Sequence, residues 1–152
     1  MSETPKIKVI PPLTPIGTMS IGFVAHLFVP VPLVAGIGTM WIGLAILILS
    51  FVPVGLGVQA LRAARTTVDV RRSPASLVTS GIFNLTRNPM YLAIMLLCVG
   101  LALIMNSLIM LLFVVPTGSA LCLAFIRKEE AILEQQFGQP YIDYLHSVRR
   151  WI

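Results

Sequence analysis

The chain has 152 residues, 57% of them apolar and only 11% charged, against roughly 25% charged in an average soluble domain. With a mean hydropathy of +0.90, this excludes a disordered chain and argues against a soluble enzyme. The reading is one all-α integral membrane domain over residues 1–152. The formal net charge of +5 does not indicate a nucleic-acid partner. Its Lys and Arg fall only at Lys6 and Lys8, between Arg62 and Arg87, and between Arg127 and Arg150, which is a topology pattern.

From Val9 to Leu61 there is no Asp, Glu, Lys or Arg, leaving room for two spans of roughly 20 residues within 1–64. The first runs over about 16–34. Gly17, Gly22, Pro30 and Pro32 weaken it and His26 sits inside it, so it reads as a kinked or re-entrant helix. The second, about 40–63, is filled by Leu44, Leu47, Ile48 and Phe51, kinked by Pro53, and closed at an aqueous face by Arg62 and Arg65. Residues 65–89 form a polar loop in which Leu77, Val78, Ile82, Phe83 and Leu85 are interleaved, the pattern of an ordered loop.

Charge disappears again from Asn88 to Ile126. The polar pair Asn106-Ser107 predicts a turn between two spans, 90–105 and 108–126, a helical hairpin whose second arm Pro116 and Gly118 would bend. The tail, 127–152, begins with Arg127, Lys128, Glu129 and Glu130 carrying the last helix into water, and is interrupted at Gly138 and Pro140. Tyr141, Tyr144, Leu145 and Val148 recur at i, i+3, i+4 and i+7, a short amphipathic helix. Arg149, Arg150 and Trp151 suit a position at the headgroup level.

About four transmembrane helices place the N-terminus, the central loop and the tail on one side with all the Lys and Arg. That side is expected to be the cytoplasm, in the plasma membrane of a prokaryote. Cys98 and Cys122 read as small buried hydrophobes, with no metal site and no disulfide framework indicated. No signal peptide is recognised.

This topology delivers two polar segments to one membrane face, Gly81 through Tyr91 and Arg127 through Glu130. The loop offers backbone donors and a guanidinium, and the glutamates offer acceptors. Together they suit a zwitterionic, partly apolar cofactor. Plainer readings exist for each piece. Asn88 and Pro89 fit the N-cap and N1 positions of a helix, Arg87 an interfacial anchor and Tyr91 an aromatic belt. Glu129 and Glu130 fit a solvated face, His26 a polar packing residue and His146 an exposed position.

The stretch Leu77-Val78-Thr79-Ser80-Gly81-Ile82-Phe83, then Thr86-Arg87-Asn88-Pro89-Met90-Tyr91-Leu92, resembles the isoprenylcysteine carboxyl methyltransferase and phospholipid methyltransferase group. So do Glu129-Glu130, Phe137-Gly138, Tyr141, Tyr144 and the closing Val148-Arg149-Arg150-Trp151. The resemblance covers roughly residues 60–152. It implies a small membrane enzyme that uses S-adenosyl-L-methionine, with the cofactor held by Leu77, Val78, Gly81, Asn88, Pro89, Tyr91, Glu129 and Glu130. Tyr91, Arg87 and Arg127 are the candidate catalytic residues: Glu130 and Tyr91 are expected to engage the cofactor's polar ends with Glu129 assisting, and Arg127 or Arg87 to orient the acceptor or an attacking carboxylate. Asn88 stands where the group most often has His, and an amide does not titrate near neutral pH. Ala93 replaces the usual Gly.

The expected partners are membrane lipids and a lipophilic acceptor bearing a carboxylate, thiol or amine. Replacing Glu130 by Ala is expected to abolish cofactor binding and spare the fold. The competing functions are an NADPH-dependent membrane reductase of the sterol-reductase type and a non-enzymatic scaffold. Oligomeric state is not legible, although Gly36, Gly38, Gly43, Gly55 and Gly57 permit close helix packing.

Overall fold

In the computed structural model, residues 13–35, 37–66 and 76–152 are described. The expectations attached to Lys6, Lys8, Gly36 and positions 67–75 of the polar loop lie outside them. The described chain is helical, and its only β-type contact is an isolated bridge between Pro32 and Ser107.

Helix α1 is Leu13–Phe28, and α2 (Gly38–Leu49) continues into α3 (Phe51–Ala63) as one rod of 26 residues. Pro53 has no N–H to offer the Leu49 carbonyl, yet Ser50 keeps helical backbone angles and donates its N–H to the Ile46 carbonyl at 2.9 Å, so the rod continues through it. The predicted first span is shorter than expected. Its helix stops at Phe28, because Pro30 and Pro32 cannot donate into a continuing ladder and disfavour helical backbone before them.

Helix α4 is Pro89–Ile104 and α5 is Leu108–Leu121, the predicted hairpin. A wide π-turn, Cys122–Ile126, leads without interruption into α6, Arg127–Phe137. The resulting rod, Leu108–Phe137, has 30 residues, about 45 Å at 1.5 Å per residue. That exceeds a hydrocarbon core of about 30 Å, so the polar α6 extends past the apolar part. Gly138, with φ of +59°, turns the chain into α7, Gln139–Ser147. The rods Gly38–Ala63 and Leu108–Phe137 are long and apolar enough to cross a membrane, and α1 and α4 are shorter apolar helices.

The packing order is α1 on α5, α5 on α4, and α4 on α2 and α3. Contact between α2 and α4 is backbone-close: a Cβ on Gly43 would lie 2.6 Å from the Ile104 nitrogen and 2.7 Å from the Gly100 oxygen. The Thr18 and Thr117 hydroxyls, 2.8 Å apart, tie α1 to α5.

The hairpin turn falls where the sequence placed it. Asn106 takes the left-handed conformation (φ +46°) that Asn tolerates. Its Oδ1 accepts from the Leu33 and Val34 N–H groups, its Nδ2 donates to the Val34 carbonyl, and Ser107 caps α5 through the Met110 N–H. This fastens the α1–α2 connection to the hairpin tip. The start of α1, the end of α3, residues 76–88 and the tail therefore gather at the other end of the bundle.

Candidate active site

At that end, Gly81–Asn84 form a single 3-10 turn against α3. Gly81 has φ of +63°, a conformation that glycine adopts without strain. The chain then enters α4 through Thr86-Arg87-Asn88-Pro89. Pro89 occupies N1, where its missing N–H is not needed. Asn88 stands at the N-cap as expected, but its side chain caps nothing. Its Nδ2 instead donates to the Arg150 carbonyl at 3.2 Å.

The π-turn before α6 inserts an extra residue and shifts the phase of the helix beyond it. Phe125 and Ile126 are both buried, and one turn on both glutamates reach the rest of the site. Glu129 Oε2 accepts from the Tyr91 hydroxyl at 3.1 Å. Glu130 holds two guanidiniums. Arg150 donates to both of its oxygens, Nε at 2.9 Å and Nη2 at 2.7 Å, and Arg87 Nη1 lies 3.1 Å from Oε1.

Arg87 is no interfacial anchor, since its side chain is only 9% exposed. Its contact with Glu130 is an ion pair by distance without hydrogen-bond alignment, and Nε and Nη1 are buried with no hydrogen-bond partner. Glu129 lies beyond the apolar part of its rod. Burial raises its carboxyl above the ordinary range, the Glu130 charge adds to this, and the Tyr91 hydrogen bond opposes it.

The tail folds back onto the bundle. Tyr141 and Tyr144 are buried, and the Tyr144 hydroxyl donates to the Phe83 carbonyl at 2.7 Å. Burial and the Glu130 charge push the Tyr141 hydroxyl up to about 12, with Arg87 acting in the opposite sense. Arg149 is exposed as expected, whereas Trp151 packs on the cluster of Tyr91, Leu121, Phe125 and Ile126.

Below the charged group, Leu92, Met95, Val115, Gly118, Ser119, Cys122 and Trp151 line an apolar groove of about 470 Å³ between α4 and α5. Cys122 joins the two regions, its Sγ 3.6 Å from Arg150 Nη1.

Arg87, Asn88, Pro89, Tyr91, Glu129 and Glu130 are thus brought together. Gly81, Leu77 and the buried Val78 lie in the segment leading to them. Arg127 is exposed and joins none of the cluster's hydrogen bonds or ion pairs among the described residues. Arg150, Thr86 and Tyr141 were missed by the reading from residue chemistry. The only signal for Arg150 was its place in the closing Val-Arg-Arg-Trp. The described residues contain no group of His, Cys, Asp and Glu able to hold a metal ion.

Two rods long and apolar enough to cross a membrane, with a buried, mostly paired charge cluster at one end, define a membrane-type helical protein. The phospholipid methyltransferase family matches residues 38–140, and the chain belongs to this family. Membership implies methyltransferase activity on lipid-like substrates. No curated protein matches the chain.

Proposed function

We propose that the chain transfers a methyl group from S-adenosyl-L-methionine to a lipophilic acceptor at the cytoplasmic face of a membrane. In this reading four helices span, and both termini face the cytoplasm. The observation that carries it is Arg87: a nine-tenths buried guanidinium whose Nε has no hydrogen-bond partner and whose Nη1 meets Glu130 without hydrogen-bond alignment, beside a Glu129 carboxylate engaged by one hydroxyl. A buried donor without an acceptor is costly, and a ligand carboxylate answers it. The Glu129 carboxylate answers an ammonium or hydroxyl. The donor set therefore fits a zwitterion.

The cofactor supplies, when bound, an electrophilic methyl group on a sulfonium. Tyr91 and Glu129 would hold its polar end, with Leu77, Val78, Gly81 and Pro89 as walls. Because both Glu130 oxygens are occupied by arginines, we give the leading contact to Glu129 and make Glu130 the post that holds Arg87 and Arg150 in place. Arg87 orients an anionic group, with Arg127 at the rim meeting the acceptor from the aqueous side. The groove between α4 and α5 takes the acceptor's tail sideways from lipid. Fixed alignment of the reacting atoms is worth several kcal/mol in such a transfer.

The test is calorimetric titration of the detergent-purified protein with S-adenosylhomocysteine and, separately, NADPH. Micromolar binding of the first, lost in Glu129→Ala, is expected. Binding of NADPH alone moves the protein to the reductases, and silence with both in a folded protein points to a scaffold.

A further inference from the structure

Three donors from one short stretch converge on the backbone of the tail. The Thr86 hydroxyl donates to the Arg150 carbonyl at 3.1 Å, the Asn88 amide donates to the same oxygen at 3.2 Å, and the Arg87 N–H donates to the Arg149 carbonyl at 3.1 Å. The Thr86 hydroxyl oxygen also accepts from the Asn88 N–H at 3.2 Å. Thr86 is 1% and Asn88 7% exposed, so these bonds form away from water.

Both lone pairs of the Arg150 carbonyl are therefore taken, by side chains that have no other reason to face it. Asn88 occupies an N-cap, where its side chain would ordinarily satisfy helix N–H groups, yet it is turned to the tail. The tie sits directly beneath two side chains of the candidate site. One is the Arg150 guanidinium, bidentate on Glu130. The other is Trp151, which heads the apolar groove.

We infer that Thr86 and Asn88 are a latch for the strap 148–152: positioning residues that act through Arg150 and Trp151 to close the pocket. The inference rests on the cofactor-pocket reading for its functional consequence. It assigns Asn88 a task that needs a permanent donor. The amide nitrogen has no basic lone pair and takes no proton, and it donates at every pH, which an imidazole in its place would not do in one fixed tautomer.

The test uses the full chain in lipid nanodiscs with Trp41→Phe, leaving Trp151 as the single tryptophan. The variants are Asn88→Asp, Thr86→Val and Thr86→Ser. Trp151 quenching by acrylamide reads the strap, and S-adenosylhomocysteine affinity reads the pocket. Asn88→Asp and Thr86→Val are each expected to raise quenching and to weaken binding about five- to tenfold, the loss of one buried hydrogen bond. Thr86→Ser, which keeps the donor, restores both. Weakened binding with unchanged quenching overturns the latch and makes Asn88 a direct cofactor contact. No change in either overturns it outright. Should Asn88→Asp fail to fold, the Thr86→Val and Thr86→Ser pair decides. If the parent protein binds no S-adenosylhomocysteine, the methyltransferase reading fails, while quenching still decides whether the latch exists.

Discussion

Replacing Glu130 by alanine removes the counter-charge of two arginines that differ in their access to water. The Arg150 side chain is 34% exposed and the Arg87 side chain 9%. Arg150 can swing into solvent, so Arg150→Ala should cost only about 1 kcal/mol, as for other partly exposed pairs. Arg87 cannot, and two of its nitrogens already lack hydrogen-bond partners. Breaking a buried pair from one side costs about 3–5 kcal/mol, a large share of a total stability of about 5–15 kcal/mol. The expectation from sequence alone, that Glu130→Ala spares the fold, is thereby replaced by one of marked destabilisation. The double variant Arg87→Met, Glu130→Met removes both buried charges and should return stability to the parent value or above, without restoring cofactor binding. Thermal unfolding in one detergent, followed by circular dichroism, separates these cases. A drop of roughly 10 °C or more is expected for Glu130→Ala. If Glu130→Ala melts with Arg150→Ala, the Arg87 charge is not sealed from water, and the reasoning fails.

Two further outcomes rest on the packing and the charges. Glu129 keeps its proton to higher pH in the folded chain than the ordinary value of about 4.3, because burial raises its carboxyl. Its contribution to stability is present below that ordinary value and is lost as pH rises through the window up to the raised one. Melting temperature against pH should show this slope in the parent and not in Glu129→Gln, and an unchanged slope in the variant would sink the assignment. Gly43→Ala forces a Cβ to 2.6 Å from the Ile104 nitrogen. Backbone cannot step aside there, so a loss of about 1–3 kcal/mol is expected. Gly55→Ala, with nothing within 4 Å, should gain up to about 1 kcal/mol of helix propensity. Equal melting shifts for the two alanines would mean that α2 and α4 are not in backbone contact.

Much of the architecture was legible because its signals are local. Charge-free runs give apolar helices, Asn106-Ser107 gives the hairpin turn, and Gly138 gives the break before α7. Pro89 marks the start of α4 with no need of tertiary information. The motif Arg87-Asn88-Pro89-Met90-Tyr91 and the pair Glu129-Glu130 could also be read as one site, since a hairpin must bring its two ends together.

What the tertiary structure decided is which groups pair. The sequence has the same glutamate doublet whether it is solvated or buried. Only the phase shift of the π-turn at Cys122–Ile126 sends Glu129 to Tyr91 and Glu130 to the arginines. Asn88 carries the same N-cap signal whether it caps α4 or grips Arg150, because both partners are backbone groups with no signature of their own. Arg150 looks like an interfacial cation until the tail folds back. Local chemistry sets where helices begin and end, and long-range closure of the chain decides whether a charge faces water or another charge.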